Sequence, residues 1–280
     1  MVNGLDTFRT YFADYKDCYV LIGGSACDVY FTDQDLPFRV TEDLDMILCV
    51  EALSPAFFAR FWSFVREGGY ANRQKANGDR QFYRFTNPSV PGFPKMLELF
   101  ARKADFLPDD SEGHLTPIPA GEEASSLSGI LLEQGYYDYV MANRHEIDGV
   151  TILNPIALIV LKAIAWLDLT VKREGGDSHA YSKDISKHKN DIARIVATID
   201  VVDYALPPDI KGKMAEFMVR YSSVDLDTRA LGIGADAEDL KSRLRICFGL
   251  ECGRRYLSGA LQQMDDTQVR DSRTAKGSAS

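Results

Sequence analysis

"LIGGSACDVYFTDQDLPFRVTEDLDMIL", residues 21–48, ends one apolar run on Gly23-Gly24-Ser25 and opens the next on two aspartates one residue apart, Asp43 and Asp45. Cys18 to Ile22 has the length and β-branched content of a buried strand. Glycine has no Cβ, so Gly23 and Gly24 let the backbone turn sharply and come close to a ligand, and Ser25 stands where it can cap a short helix. The free N–H groups at such a helix start suit a phosphate.

A second strand is expected from about Phe38 to Val50. Alternate side chains of a strand share a face, so Asp43, Asp45 and Ile47 point one way and Leu44, Met46 and Leu48 the other. Carboxylates one pleat apart repel each other unless water or a cation lies between them. Mg²⁺ or Mn²⁺, held by oxygen ligands, resolves that conflict and leaves positions open for phosphate. "KMLELF", residues 95–100, repeats the pattern with Glu98 between Leu97 and Leu99, a third acid that the same cluster could use. Each feature alone has a bland reading: a common turn, an ordinary edge motif, a solvated glutamate. Their conjunction along helix, strand, turn, helix, strand carries the argument.

Outward from this block, Leu5, Phe8, Phe12 and Tyr15 recur at helical spacing. Ser54-Pro55 reads as N-cap and first helical residue, with Phe58, Phe61 and Val65 on one face and Gly68-Gly69 as the stop. Arg80–Thr86 and Lys95–Phe100 read as strands joined by "NPSVPGFP", and residues 109–124 as connecting loops. "YDYVMANRHEIDGVTIL" suggests a hairpin turning near Ile147 to Gly149. Beyond Asn154 helical periodicity takes over at Pro155–Leu169, Asp184–Ile199, Pro208–Tyr221 and Asp236–Met264. The expected architecture is α+β: a mixed sheet with flanking helices over residues 1–150, a C-terminal helical domain over 151–265, and a polar tail over 266–280.

The formal net charge of −9 over 280 residues makes the whole surface a poor polyanion binder, so any nucleic-acid contact requires a local basic patch. The five cysteines, at 18, 27, 49, 247 and 252, form no CxxC pair, which predicts reduced thiols in a cytoplasmic protein. The most apolar stretch, Pro155 to Leu167, is too short to span a bilayer and contains Lys162, so no membrane association is expected.

Gly24-Ser25, the Asp43/Asp45 pair and the third acid Glu98 resemble the signature of the polymerase-β-like nucleotidyltransferase superfamily. Within it, "FRVTEDLDMIL" resembles the Arg-x-Thr-x-Asp-hydrophobic-Asp block of the AbiEii/AbiGii toxin family, with Arg39, Thr41, Asp43 and Asp45 in register. That family also carries a Lys in the first C-terminal helix and an Asp in a following Lys-rich helix, positions matched by Lys162 and Asp191. The resemblance covers about residues 18–200. Two features depart from the pattern: a longer separation of Ser25 from Asp43, and Glu in place of the commoner Asp at 98.

Lys162 is also conspicuous without the family, because the ten residues around it from Ile156 to Trp166 are all apolar. Its ammonium must reach solvent or meet an anion. Lys183, Lys187, Asp191 and Arg194 recur as one polar stripe, which reads either as a solvated face or as a phosphate-facing one. His179 and His188 lie beside it without metal-ligand spacing. Lys172, Arg173, Lys183, Lys187 and Lys189 form the densest basic cluster, the expected RNA-facing patch.

The resemblance therefore implies a Mg²⁺- or Mn²⁺-dependent enzyme that moves a nucleoside monophosphate from an NTP to an acceptor hydroxyl on tRNA, other RNA or protein, as the toxin of a toxin–antitoxin pair. Asp43, Asp45 and Glu98 would hold metal, and Gly23, Gly24, Ser25 and Lys162 the nucleotide. Glu98 or Asp43 would assist deprotonation, and Asp191 would orient Lys162 or the acceptor. Alternatives are a small-molecule, antibiotic-type nucleotidyltransferase and a non-catalytic nucleotide-binding protein of the same fold.

Overall fold

The computed structural model describes residues 2–72, 82–100, 133–178 and 180–250. The chain runs α1 (Leu5–Tyr11), β1 (Tyr19–Ile22), α2 (Gly23–Asp33), β2 (Asp43–Leu48), α3 (Pro55–Gly68), β3 (Ala71–Asn72), β4 (Phe82–Thr86) and β5 (Met96–Phe100). After residue 132 follow α4 (Gln134–Ala142), β6 (Arg144–Ile147), β7 (Val150–Leu153), α5 (Pro155–Glu174), α6 (Ser182–Val196), α7 (Pro208–Tyr221) and α8 (Ala237–Cys247). The strands form one mixed sheet in the order β3-β4-β5-β2-β1-β7-β6, flanked by helices, so the fold is α+β.

β1 lies in the middle and is buried along its whole length, as its unbroken apolar sequence requires. It pairs antiparallel with β2 and parallel with β7. β2 runs parallel to β5, which pairs antiparallel with β4. This sequence of pairings brings acids from β2 and β5, far apart in the chain, side by side.

Helix ends follow their local chemistry. Ser54 accepts a hydrogen bond from the Phe57 N–H, Pro55 occupies the first turn, and Gly69 closes α3 in the left-handed conformation, φ 61°. Asn154 caps α5 by accepting from the Ala157 N–H. Ile156 through Leu167 of α5 are all buried, and this helix joins the sheet side to α6 and α7 in one continuous apolar core. On the other side of the core, Phe8, Phe12, Phe61 and Phe64 interlock as tilted and edge-on ring pairs.

The change from strands to helices falls at Asn154, between β7 and α5. The hairpin turns at Asp148-Gly149, both with positive φ (47° and 75°), the conformation a two-residue connection needs. Other elements differ from expectation. β2 begins at Asp43, because residues 36–42 run outside the sheet while Arg39 reaches across to Asp191. "YDYVMA" is helical, as part of α4, where its tyrosines pack inward. α2 starts at Gly23 with an extended Ile22 as its N-cap, so Ser25 lies inside the helix and is not its cap. The loops expected at 109–124, the helix beyond residue 250 and the tail at 266–280 lie outside the described residues. Among the described residues no helix is long and apolar enough to cross a membrane.

Candidate active site

The sheet register sets Asp45 of β2 opposite Ile22 of β1 on one side and Glu98 of β5 on the other. Arg84 of β4 stands opposite Glu98, so Asp45, Glu98 and Arg84 form a row across three strands. Asp43 lies two residues along β2 and shares the face of Asp45. Gly23 adopts φ 65°, and a Cβ there would collide with the Asp45 carboxylate. A Cβ on Gly24 would lie 2.7 Å from Thr41 Oγ1 and 3.0 Å from Arg39 Nη2. The glycine pair thus lets the start of α2 close down on the segment that carries the aspartates.

Burial pushes the Asp45 carboxyl up, to about 7, with Glu98 and then Asp43 adding repulsion; Lys187 and Lys162 oppose the rise. Arg84 Nε and Nη2 both donate to Glu98 Oε1, and Glu98 itself is buried. Among the described residues no group of three or more His, Cys, Asp or Glu side chains is placed to hold a metal ion. The β2 pair fits a hard divalent cation nonetheless. It offers two carboxylates on one face, half-buried, crowded by a third acid, with the close-packed Gly23 beside them.

A second charge set adjoins the first. Asp191 of α6 is fully buried and accepts from Arg39 Nε at 2.9 Å, Arg39 Nη2 at 2.9 Å and Lys162 Nζ at 2.8 Å, with Arg194 Nη1 at 3.6 Å. Burial alone would raise the Asp191 carboxyl, but Lys162 and Arg39 outweigh it and hold it well below the usual carboxylate range. Lys162, 4% exposed, meets an anion and does not snorkel to solvent. His188, one turn from Asp184 on α6, has a fully enclosed Nδ1 without a partner, and burial among Lys162, Lys187 and Arg39 lowers its pKa to about 3.

The Ser25 side chain is completely buried, and its Oγ donates back to the Ile22 carbonyl at 3.0 Å, which commits its proton within the turn. The expected basic cluster is spread over two helices. Lys172 pairs with Asp168 at 3.2 Å, Arg173 donates to the Ala180 carbonyl at 2.9 Å, and Lys189 donates to the Asp225 carbonyl at 3.0 Å. Lys183 lies over the Tyr181 ring, and Lys187 is exposed on the turn preceding Asp191. His179 lies outside the described residues. Sequence reasoning missed Arg84, whose only signal is a cation between aromatic residues of β4 directly across from Glu98. It also missed Cys27, a buried thiol of α2 that burial pushes up to about 11, with the charge of Lys162 opposing the rise. A separate cleft of about 390 Å³, lined by Leu5, Arg9, Asp28 and Ile147 among others, contains none of these groups.

No protein-family model matches the chain, and no curated protein matches it in sequence.

Proposed function

We propose that the chain is a divalent-metal-dependent nucleotidyltransferase with the polymerase-β-like fold, of the AbiEii/AbiGii toxin kind. It would transfer a nucleoside monophosphate from an NTP to an acceptor hydroxyl on tRNA, other RNA or protein. The observation that carries this reading is the placement of Asp43 and Asp45 on one sheet face against the Gly23–Gly24 turn, with Arg39 and Lys162 held beside them by Asp191.

Asp43 and Asp45 would hold Mg²⁺ or Mn²⁺, which would supply charge neutralisation at the phosphoryl group. The chain's own residues do the rest. Gly23 lets the backbone approach the ligand, and Lys162 and Arg39, fixed by Asp191, contribute positive charge next to the transferring phosphate. The acceptor oxygen bonds to the α-phosphorus as the bond to pyrophosphate breaks. The hydroxyl proton passes to a carboxylate oxygen of Asp43 or Glu98. Lys187 with Lys172, Arg173, Lys183 and Lys189 gives an acidic protein a cationic approach for RNA, and an antitoxin would restrain the activity.

The test is incubation with each labelled NTP, Mg²⁺ and total RNA or lysate. Wild type labels RNA or protein and Asp45→Asn labels neither. Two observations favour the rival non-catalytic nucleotide-binding protein: the inward Ser25 hydroxyl and the Arg84–Glu98 pair. Bound NTP with no label transferred to any acceptor, including small molecules, establishes that rival. Growth on expression of wild type against Asp45→Ala checks the toxin aspect, which fails if the two strains grow alike.

A further inference from the structure

We infer that Arg84 and the divalent cation compete for Glu98, so that Arg84 sets the cation affinity of the Asp43/Asp45 pair. The inference rests on the reading of those aspartates as a metal pair. Arg84 and Glu98 face each other across β4 and β5, and two guanidinium nitrogens converge on one carboxylate oxygen. Both prongs of this fork share Oε1, and the contact is charge-assisted on both sides. Glu98 is 8% exposed, and a buried carboxylate is costly without a cation.

On its other side, Glu98 faces Asp45 across the β5–β2 pairing, about 4.8 Å away strand to strand. The two neighbours act in the same direction: Asp45 repels the Glu98 carboxylate toward β4, and Arg84 draws it there. A divalent cation on Asp43 and Asp45 reverses the sign on the β2 side, and Glu98 is then attracted from both strands. The extra methylene of glutamate over aspartate gives the carboxyl the reach to change partner. Arg84 is thus a positioning residue that no motif in the sequence marks.

The experiment is Mn²⁺ binding, read from the free-ion electron paramagnetic resonance signal, with wild type, Asp45→Asn, Arg84→Gln, Arg84→Lys, Glu98→Gln and the Arg84→Gln/Glu98→Gln double variant. Arg84→Gln is expected to bind Mn²⁺ at least about tenfold more tightly, the order expected for one uncompensated charge at close range. In the Glu98→Gln background that gain disappears. Arg84→Lys keeps the charge and loses the fork, so it gains less, and it carries the test if Arg84→Gln does not fold. Asp45-dependent binding in wild type with no gain in either Arg84 variant overturns this inference alone, as does a gain that persists without Glu98. Wild-type binding no tighter than that of Asp45→Asn overturns the metal-pair reading and the inference with it.

Discussion

The charge set around Asp191 and the one around Asp45 are neighbours, yet they are balanced in opposite ways. Asp191 is one carboxylate among Arg39, Lys162 and Arg194, all within 3.6 Å, and it is fully buried. On the β2–β5 face, Asp43, Asp45 and Glu98 are three carboxylates, and among the described residues Arg84 is hydrogen-bonded to one of them, Glu98. The first set is satisfied internally and fastens residues 36–42 to α5 and α6. Among the described residues the second holds more carboxylates than cations hydrogen-bonded to them, beside a glycine turn, and like charges packed together cost stability unless something neutralises them. Such a division, a tied-down group next to a frustrated one, is what a binding site held on a rigid frame looks like.

The contrast is broken most severely at Asp191. Asp191→Ala leaves Arg39 and Lys162 without their anion in the interior, and is expected to cost about 3–5 kcal/mol in urea unfolding. Gly23→Ala, at φ 65° and with its Cβ against the Asp45 carboxylate, should cost about 1–3 kcal/mol. It should also lower Mn²⁺ affinity, because Asp45 must move. Asp45→Asn has the opposite sign: relief of repulsion should add on the order of 1 kcal/mol at neutral pH in chelator, while transfer is lost. If that variant is less stable than wild type, the surplus-charge account is wrong.

A smaller effect concerns pH. The folded-state pKa of His188 is lowered to about 3, through burial and the cations Lys162, Lys187 and Arg39, with Asp191 opposing. Between about 6.5 and 3 the unfolded chain binds a proton that the folded one does not, so this contribution is full above the unfolded pKa and is lost as pH falls through that window. His188→Gln should flatten that part of the stability profile measured by thermal melting. Smallest of all, Lys187→Ala should change stability by no more than about 0.5 kcal/mol, since the residue is exposed, yet weaken RNA binding in a gel-shift assay.

The residues of the site were legible from sequence where local periodicity and glycine chemistry fix the outcome. The strand ending at Ile22, the two aspartates on one face and the close approach at Gly23 follow from spacing alone. The apolar run around Lys162 leaves its ammonium either solvent or an anion, and Asp191 is that anion. What could not be read depends on pairings between distant segments. Arg84 acquires meaning only when β4 lies beside β5, and the direction of the Ser25 hydroxyl only when Ile22 is seen to hold the cap position. Residues 137–142, expected in a hairpin, are helical, because a short apolar run with tyrosines fits both periods.

The bond between Arg39 and Asp191 joins residues 152 positions apart, and the central strand β1 finds its β7 partner only at Ile152. During synthesis, the aspartates and the glycine turn therefore leave the ribosome long before the parts that lock them in place. Polypeptides terminated ahead of residue 191 lack the anion for two cations, and those terminated ahead of residue 150 also lack a flank of the middle strand. Cells making this protein thus receive the assembled charge arrangement only near the end of translation, when the slow, long-range closures of the chain become available.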